Sequence, residues 1–313
     1  MQKTDISTLY SHGKICLSCR ILLLAVAMLM TSWQLPALAQ NGNRTETRYK
    51  VAACDWMMLK RQKLGEFALA HEIGADGVEV DMGSLGKRVL FDNQLRDSAQ
   101  ARKFTDAALE YGVEVPSMAM SGFFAQSFLR RDNYLDLLGD CFATMRIFHC
   151  NVAFLPLGGS GKEWIQRGST ARDSMVMRLR KAGEMAAREH IIIGVRTGLD
   201  AKESRRLLKE VGNKNVRVYF SVQDAIDNHR DVGKELRALG AKRIIQIHAS
   251  NTDGLCLPDD PAVDMKAIKR TLDKMGWTGW LVVERSRDKT RVRDVKYNFS
   301  RNVEYLKKVF QQR

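Results

Sequence analysis

From Val51 onward, short apolar runs alternate with longer stretches in which apolar residues recur every three or four positions. Eight of the short runs read as buried strands: Val51–Asp55, Gly77–Asp81, Val113–Ala119, Val152–Gly158, Ile191–Arg196, Val216–Ser221, Arg243–Ala249 and Trp280–Arg285. The stretches between them carry helical periodicity, as in "YLDLLGDCFATMRIF", "STARDSMVMRLRKAGEMAAREH" and "VKYNFSRNVEYLKKVF". Many end in a glycine just before the next strand, which predicts left-handed caps. Strands that alternate with helices pair in parallel. Eight such units in about 260 residues predict a closed (β/α)8 barrel in one domain. An open doubly wound sheet is the competing arrangement. Its Gly-rich phosphate turn is missing, because "ACDWMMLKR" after the first strand holds no glycine.

The first forty residues break the alternation. Lys3, Lys14 and Arg20 precede the apolar run Ile21–Met30, and Ala37-Leu38-Ala39 has the small-x-small form of a cleavage site. Ten apolar residues are too few to span a bilayer comfortably. The expectation is a secretory signal over residues 1–39, a linker over 40–50 and a barrel over 51–313, hence an exported, periplasmic protein with no transmembrane segment after cleavage. Removing residues 1–39 lowers the formal charge from +14 to +12, because three Lys/Arg and one Asp leave. Lys and Arg are scattered without a basic arm, so diffuse solvated charge is expected rather than a nucleic-acid partner. Four cysteines remain, Cys54, Cys141, Cys150 and Cys256, too few for a disulfide scaffold. Cys54 reads as a small core residue.

In a barrel of this kind the chemistry sits at the C-terminal ends of the strands. Those ends carry Asp55 and Trp56, Glu79 and Asp81, Met118 and Met120, Arg196, Ser221 and Gln223, Gln246 and His248, and Glu284 and Arg285. Alternation places Gln246 and His248 on one face of strand 7 and Glu284 on the matching face of strand 8. Arg196, His248 and Glu284 therefore converge and are the expected catalytic residues. Asp55, Glu79, Gln246, Arg285 and Ser221 are the expected substrate-binding residues. The methionines read as core filling. "GGSGKE" (Gly158–Glu163) lacks the full phosphate-loop pattern and reads as a rim loop or lid.

"GADGVEVDMG", "VAFLPLG", "RIIQIHASNTDG" and "GWTGWLVVERSRD" resemble the sugar phosphate isomerase/epimerase family of xylose isomerase-like barrels, especially its exported bacterial branch. The resemblance covers about Val51 to Phe310. It implies an isomerase, epimerase or lyase that takes a proton from the carbon beside a sugar carbonyl. Such enzymes hold a divalent metal with a Glu ending strand 5, an Asp or Asn ending strand 6, a His ending strand 7 and a Glu ending strand 8. Only the last two match, at His248 and Glu284. The strand 5 position holds Arg196, in "IGVRTGLDA", and the strand 6 position holds Ser221. A serine is a poor ligand for a hard cation and an arginine is none. No cofactor is therefore expected. A weak Mn²⁺, Mg²⁺ or Zn²⁺ site on His248 and Glu284 is the alternative. Arg196 is expected to fill the metal's space and to pair in bidentate fashion with Glu284, while Asp224 looks out of register as a ligand. The expected partner is a small carbohydrate. A catalytically inactive, carbohydrate- or partner-binding barrel is the second reading.

Overall fold

The computed structural model describes residues 48–158 and 163–312. The expected signal segment, most of the expected linker and the centre of the Gly158–Glu163 loop lie outside them. Eight parallel strands close into a barrel in sequence order: β1 (Tyr49–Cys54), β2 (Gly77–Asp81), β3 (Met118–Ala119), β4 (Val152–Pro156), β5 (Ile192–Arg196), β6 (Val216–Ser221), β7 (Ile244–His248) and β8 (Gly279–Val283). Helices cover the outside, among them Glu66–Glu72, Ser98–Glu110, Tyr134–Phe148, Thr170–Arg188, Ala201–Val211, Val232–Leu239, Met265–Met275 and Val295–Phe310. No helix among the described residues is long and apolar enough to cross a membrane.

Two apolar layers follow from the strand alternation. Outward-facing residues such as Val51, Ala53, Leu281 and Val283 join the helices in one large cluster. Inward-facing Ala52, Cys54, Ala119, Phe154, Tyr219 and Val282 fill the barrel, with Trp56 over them. Among the described residues Cys54, Cys141, Cys150 and Cys256 are unpaired, and Cys54 is a fully buried core residue. Helix ends follow the local chemistry. Asp200 accepts the Glu203 N–H at 2.7 Å to open the helix Ala201–Val211, and Gly212 closes it at φ +67°.

One element is much shorter than its apolar run predicts. The expected strand Val113–Ala119 contributes only Met118–Ala119, plus an isolated bridge between Glu114 and Gly77. Pro116 sits between the two pieces; it has no N–H to give to a ladder, so pairing lapses around it. β8 also stops at Val283, which leaves Glu284 and Arg285 on the segment just beyond the strand.

Candidate active site at the mouth of the barrel

Glu284 follows β8 with its main-chain N–H held by Ser250 Oγ at 2.7 Å. Its side chain is buried to 3% exposure and faces Arg196, the last residue of β5. Arg196 Nη1 donates to Glu284 Oε2 at 2.9 Å. The bidentate fork goes elsewhere: Nε and Nη2 donate to the two oxygens of Asp224 at 2.9 and 2.6 Å. The expected Arg196–Glu284 pair thus forms through a single hydrogen bond. Asp224, read from sequence as out of register, takes the fork instead. The reason is local. Ser221 ends β6 and caps the helix Val222–Asp227 by accepting the Asp224 N–H at 3.2 Å, which turns Asp224 back toward Arg196. Phe124 covers one face of the guanidinium at 5.2 Å.

Charge balance at this cluster is tight. Burial would raise the Glu284 carboxyl, but the Arg196 guanidinium, with His248 and Arg285 nearby, overrides burial and holds it below the usual carboxylate range. Burial opposes the Arg196 charge, and Glu284 and Asp224 more than restore it. Of the five guanidinium N–H groups, three are committed and two have no hydrogen-bond partner among the described residues. Glu284 Oε1 accepts no hydrogen bond among the described residues, and both side chains line a cavity of about 440 Å³ at the mouth. Its other walls include Trp56, Arg61, Ser121, Phe124, Gln223 and Arg285.

His248 lies beneath this cavity rather than in its wall. It is 1% exposed and packed by Phe154 at 4.7 Å and Tyr219 at 4.5 Å between ring centres. Its Nε2 is 2.9 Å from Glu79 Oε1, and Glu79 Oε2 accepts from Ser117 at 2.6 Å and Tyr219 at 2.8 Å. A carboxylate accepts, which assigns the ring proton to Nε2. Nδ1 is buried without a hydrogen bond and points at Glu284 Oε2, 3.6 Å away. Gly194 makes room for this network: a Cβ there would lie 3.0 Å from Tyr219 Cδ2 and 2.9 Å from Ile245 Cγ2.

The remaining expected site residues separate. Arg285 lines the cavity, 40% exposed. Glu79 and Gln246 point into the barrel below it, and Gln246 Nε2 donates to Pro116 O at 3.3 Å. Ser221 is committed to its cap. Asp55 is fully buried and holds the Gln62 N–H at 2.9 Å. Its other oxygen has no hydrogen-bond partner among the described residues, and burial pushes the carboxyls of both Asp55 and Glu66 well above the ordinary carboxylate range, with a neighbouring acid raising each further. Asp81 joins them: burial pushes it up to about 6 against the pull of Ser121 and Arg61. These groups pin a loop in which Lys60, Arg61 and Gln62 all have positive φ, at 64°, 67° and 44°. That conformation is costly for residues with a Cβ. It delivers Arg61, which nothing in the sequence singles out, to Asp81 Oδ1 at 2.9 Å and to the cavity wall.

The four strand-end positions that the sequence resemblance associates with a metal carry Arg196, Ser221, His248 and Glu284 here. Arg196 already occupies Glu284 Oε2, and Ser221 Oγ faces its helix. Among the described residues no three His, Cys, Asp or Glu side chains converge as a metal site. This donor set does not fit a divalent cation.

Solved structures share the architecture at low sequence identity. The D-psicose 3-epimerase of Clostridium cellulolyticum H10 superposes with a TM-score of 0.66 at 12% identity, over 84% of this chain and 100% of that one. The 3-keto-D-glucoside 4-epimerase of E. coli gives 0.65 at 16%, over 83% and 99%. A xylose isomerase domain protein from Planctomyces limnophilus gives 0.64 at 15%, over 83% and 97%. No curated protein matches the chain by sequence. The sequence profile of the xylose isomerase-like TIM barrel family matches residues 67–309, and the chain belongs to that family.

Proposed function

We propose that the protein is a sugar isomerase-type enzyme that moves a proton beside a carbonyl and uses Arg196 where related barrels use a metal. The observation that carries this reading is the pairing of two uncommitted Arg196 N–H groups with an uncommitted Glu284 oxygen on one cavity. The substrate carbonyl oxygen accepts from Arg196. Glu284 Oε1 takes the proton from the adjacent carbon, and the guanidinium neutralises the enediolate as charge develops. Glu284 then returns the proton to the former carbonyl carbon, while the hydroxyl proton of the adjacent carbon passes to the former carbonyl oxygen, so that the carbonyl changes place. His248 packs behind Glu284, its Nδ1 3.6 Å from Oε2. Among the described residues, Glu284 is the one carboxylate in the cavity wall. A single base serves transfer on one face of the sugar, which favours isomerisation over an epimerisation that uses bases on both faces. The sugar epimerases among the structural neighbours support a carbohydrate substrate, and the leader-like N-terminus supports an exported site of action.

The second reading is a carbohydrate-binding barrel without turnover. The strengthened acidity of Glu284 favours it, because a carboxylate stabilised by arginine is a weaker base. One experiment separates them. The purified protein is incubated in D₂O with a panel of aldoses and ketoses, and exchange at the carbon beside the carbonyl is followed. Exchange that Glu284→Gln abolishes supports the enzyme. No exchange, with sugar binding retained in calorimetry, supports the binding protein.

A further inference from the structure

The net positive charge, scattered along the sequence, is gathered by the fold. On the outer flank of the barrel a groove of about 760 Å³ runs along the helix Ala201–Val211 toward the N-terminal ends of β6 and β7, on the far end from the mouth. Lys202, Arg205 and Lys209 line it from one face of that helix, spaced by three and four positions. Lys214 adds to it from the turn before β6, and Lys242 and Arg243 from the turn before β7. All six are exposed. No Asp or Glu lines the groove, and none of the six has a carboxylate partner within salt-bridge distance among the described residues. The acids of the helix are spent elsewhere. Asp200 caps it, Glu203 takes Arg206 at 2.5 Å, and Glu210 takes Arg172 at 2.7 Å. Like charges held this close repel, and the fold keeps them together without internal compensation.

We propose that this groove binds an acidic polysaccharide chain through its carboxylate or sulfate groups. The shape and the lining select among polyanions. The surface is concave, and its apolar lining is confined to Leu208 and Val216, so it offers no large exposed apolar side chain to a bilayer. It has no aromatic residue, which single-stranded nucleic acid would use for base stacking. A rigid duplex would touch a groove of this size only at its rim. A flexible glycan chain that carries one charge per ring enters the groove and meets successive ammonium groups. Lysine supplies four of the eight basic side chains that line the groove and suits such point-charge contacts; Arg205, Arg206, Arg217 and Arg243 supply the rest.

The test uses the full folded protein with oligogalacturonate and a heparin-derived oligosaccharide as carboxylate and sulfate probes, followed by calorimetry at several salt concentrations. The expected result is binding to at least one glycan, with log affinity falling linearly against log salt. The triple variant Lys209→Glu, Lys214→Glu, Lys242→Glu is expected to bind about ten-fold more weakly or worse. A second variant, Lys103→Glu, Lys266→Glu, Lys274→Glu, makes the same charge change at exposed positions outside the groove and is expected to bind as the wild type does. The proposal is overturned if neither glycan binds, if the two triple variants lose affinity equally, or if duplex DNA or phosphatidylglycerol vesicles bind more tightly than both glycans.

Discussion

Arg196 is held between two carboxylates, and the consequences of losing it are lopsided. Arg196→Met leaves Asp224 and Glu284 facing each other without a cation, which costs about 3–5 kcal/mol for a broken buried pair and is read by urea denaturation. Arg196→Lys keeps the charge but supplies no fork, so a smaller loss is expected. Acid has opposite effects at the two buried carboxyl clusters. The folded-state acidity of Glu284 is strengthened, so its contribution is present above the ordinary carboxylate range and is lost as pH falls through its folded value. Glu284→Gln should therefore flatten the acid limb of the stability profile. Asp81 is shifted the other way, up to about 6, so its contribution is present when it is protonated and is lost as pH rises through that value. Asp81→Asn should remove the decline in stability between about pH 4 and pH 6 that this shift implies. Denaturation midpoints measured from about pH 7 down through the acid range below about pH 4 check both signs.

The elements show which parts of the site were legible. Seven strands lie within a few residues of their apolar runs, because a strand buried on both faces must be apolar and short. β3 was misread since Pro116 interrupts a run that hydrophobicity alone extends. Alternation along β8 carried Glu284 inward, and the end of β5 carried Arg196 to the same mouth, so their meeting could be read from sequence. Asp224 could not be read that way. It belongs to a helical turn whose direction is set by the Ser221 cap. Glu79 and Gln246 looked like rim residues, but each stands two positions before its strand ends and so faces the interior below the rim. Asp55 starts a short helix and turns to Glu66. Arg61 reaches the cavity only through three left-handed residues that no periodicity announces. Gly194 was one letter in an apolar run, yet it admits Tyr219. Gly194→Ala is expected to cost about 1–3 kcal/mol by overpacking, visible in thermal or chemical denaturation, and to move Tyr219 away from Glu79.

Across the whole molecule, the barrel frame is kept and a fixed cation of the chain, Arg196, stands at the end of β5. Ser221 is in register with His248 on β7, so the strand-end positions remain adjacent. Arg196→Glu combined with Ser221→Asp is expected to create stoichiometric Mn²⁺ binding in calorimetry, with the helix cap preserved because aspartate also caps well. Absence of binding would mean that these four positions no longer form a metal frame. The native cation has one further consequence, which concerns supply. A metal ion fills its site according to its free concentration and affinity, so occupancy falls when the surroundings are depleted. The guanidinium of Arg196 is part of the polymer: its occupancy is one in every folded molecule, with no reservoir to draw on and no competitor to displace it. The proposed proton exchange should therefore proceed at the same rate in excess EDTA as in added Mg²⁺, whatever the ionic economy of the surroundings.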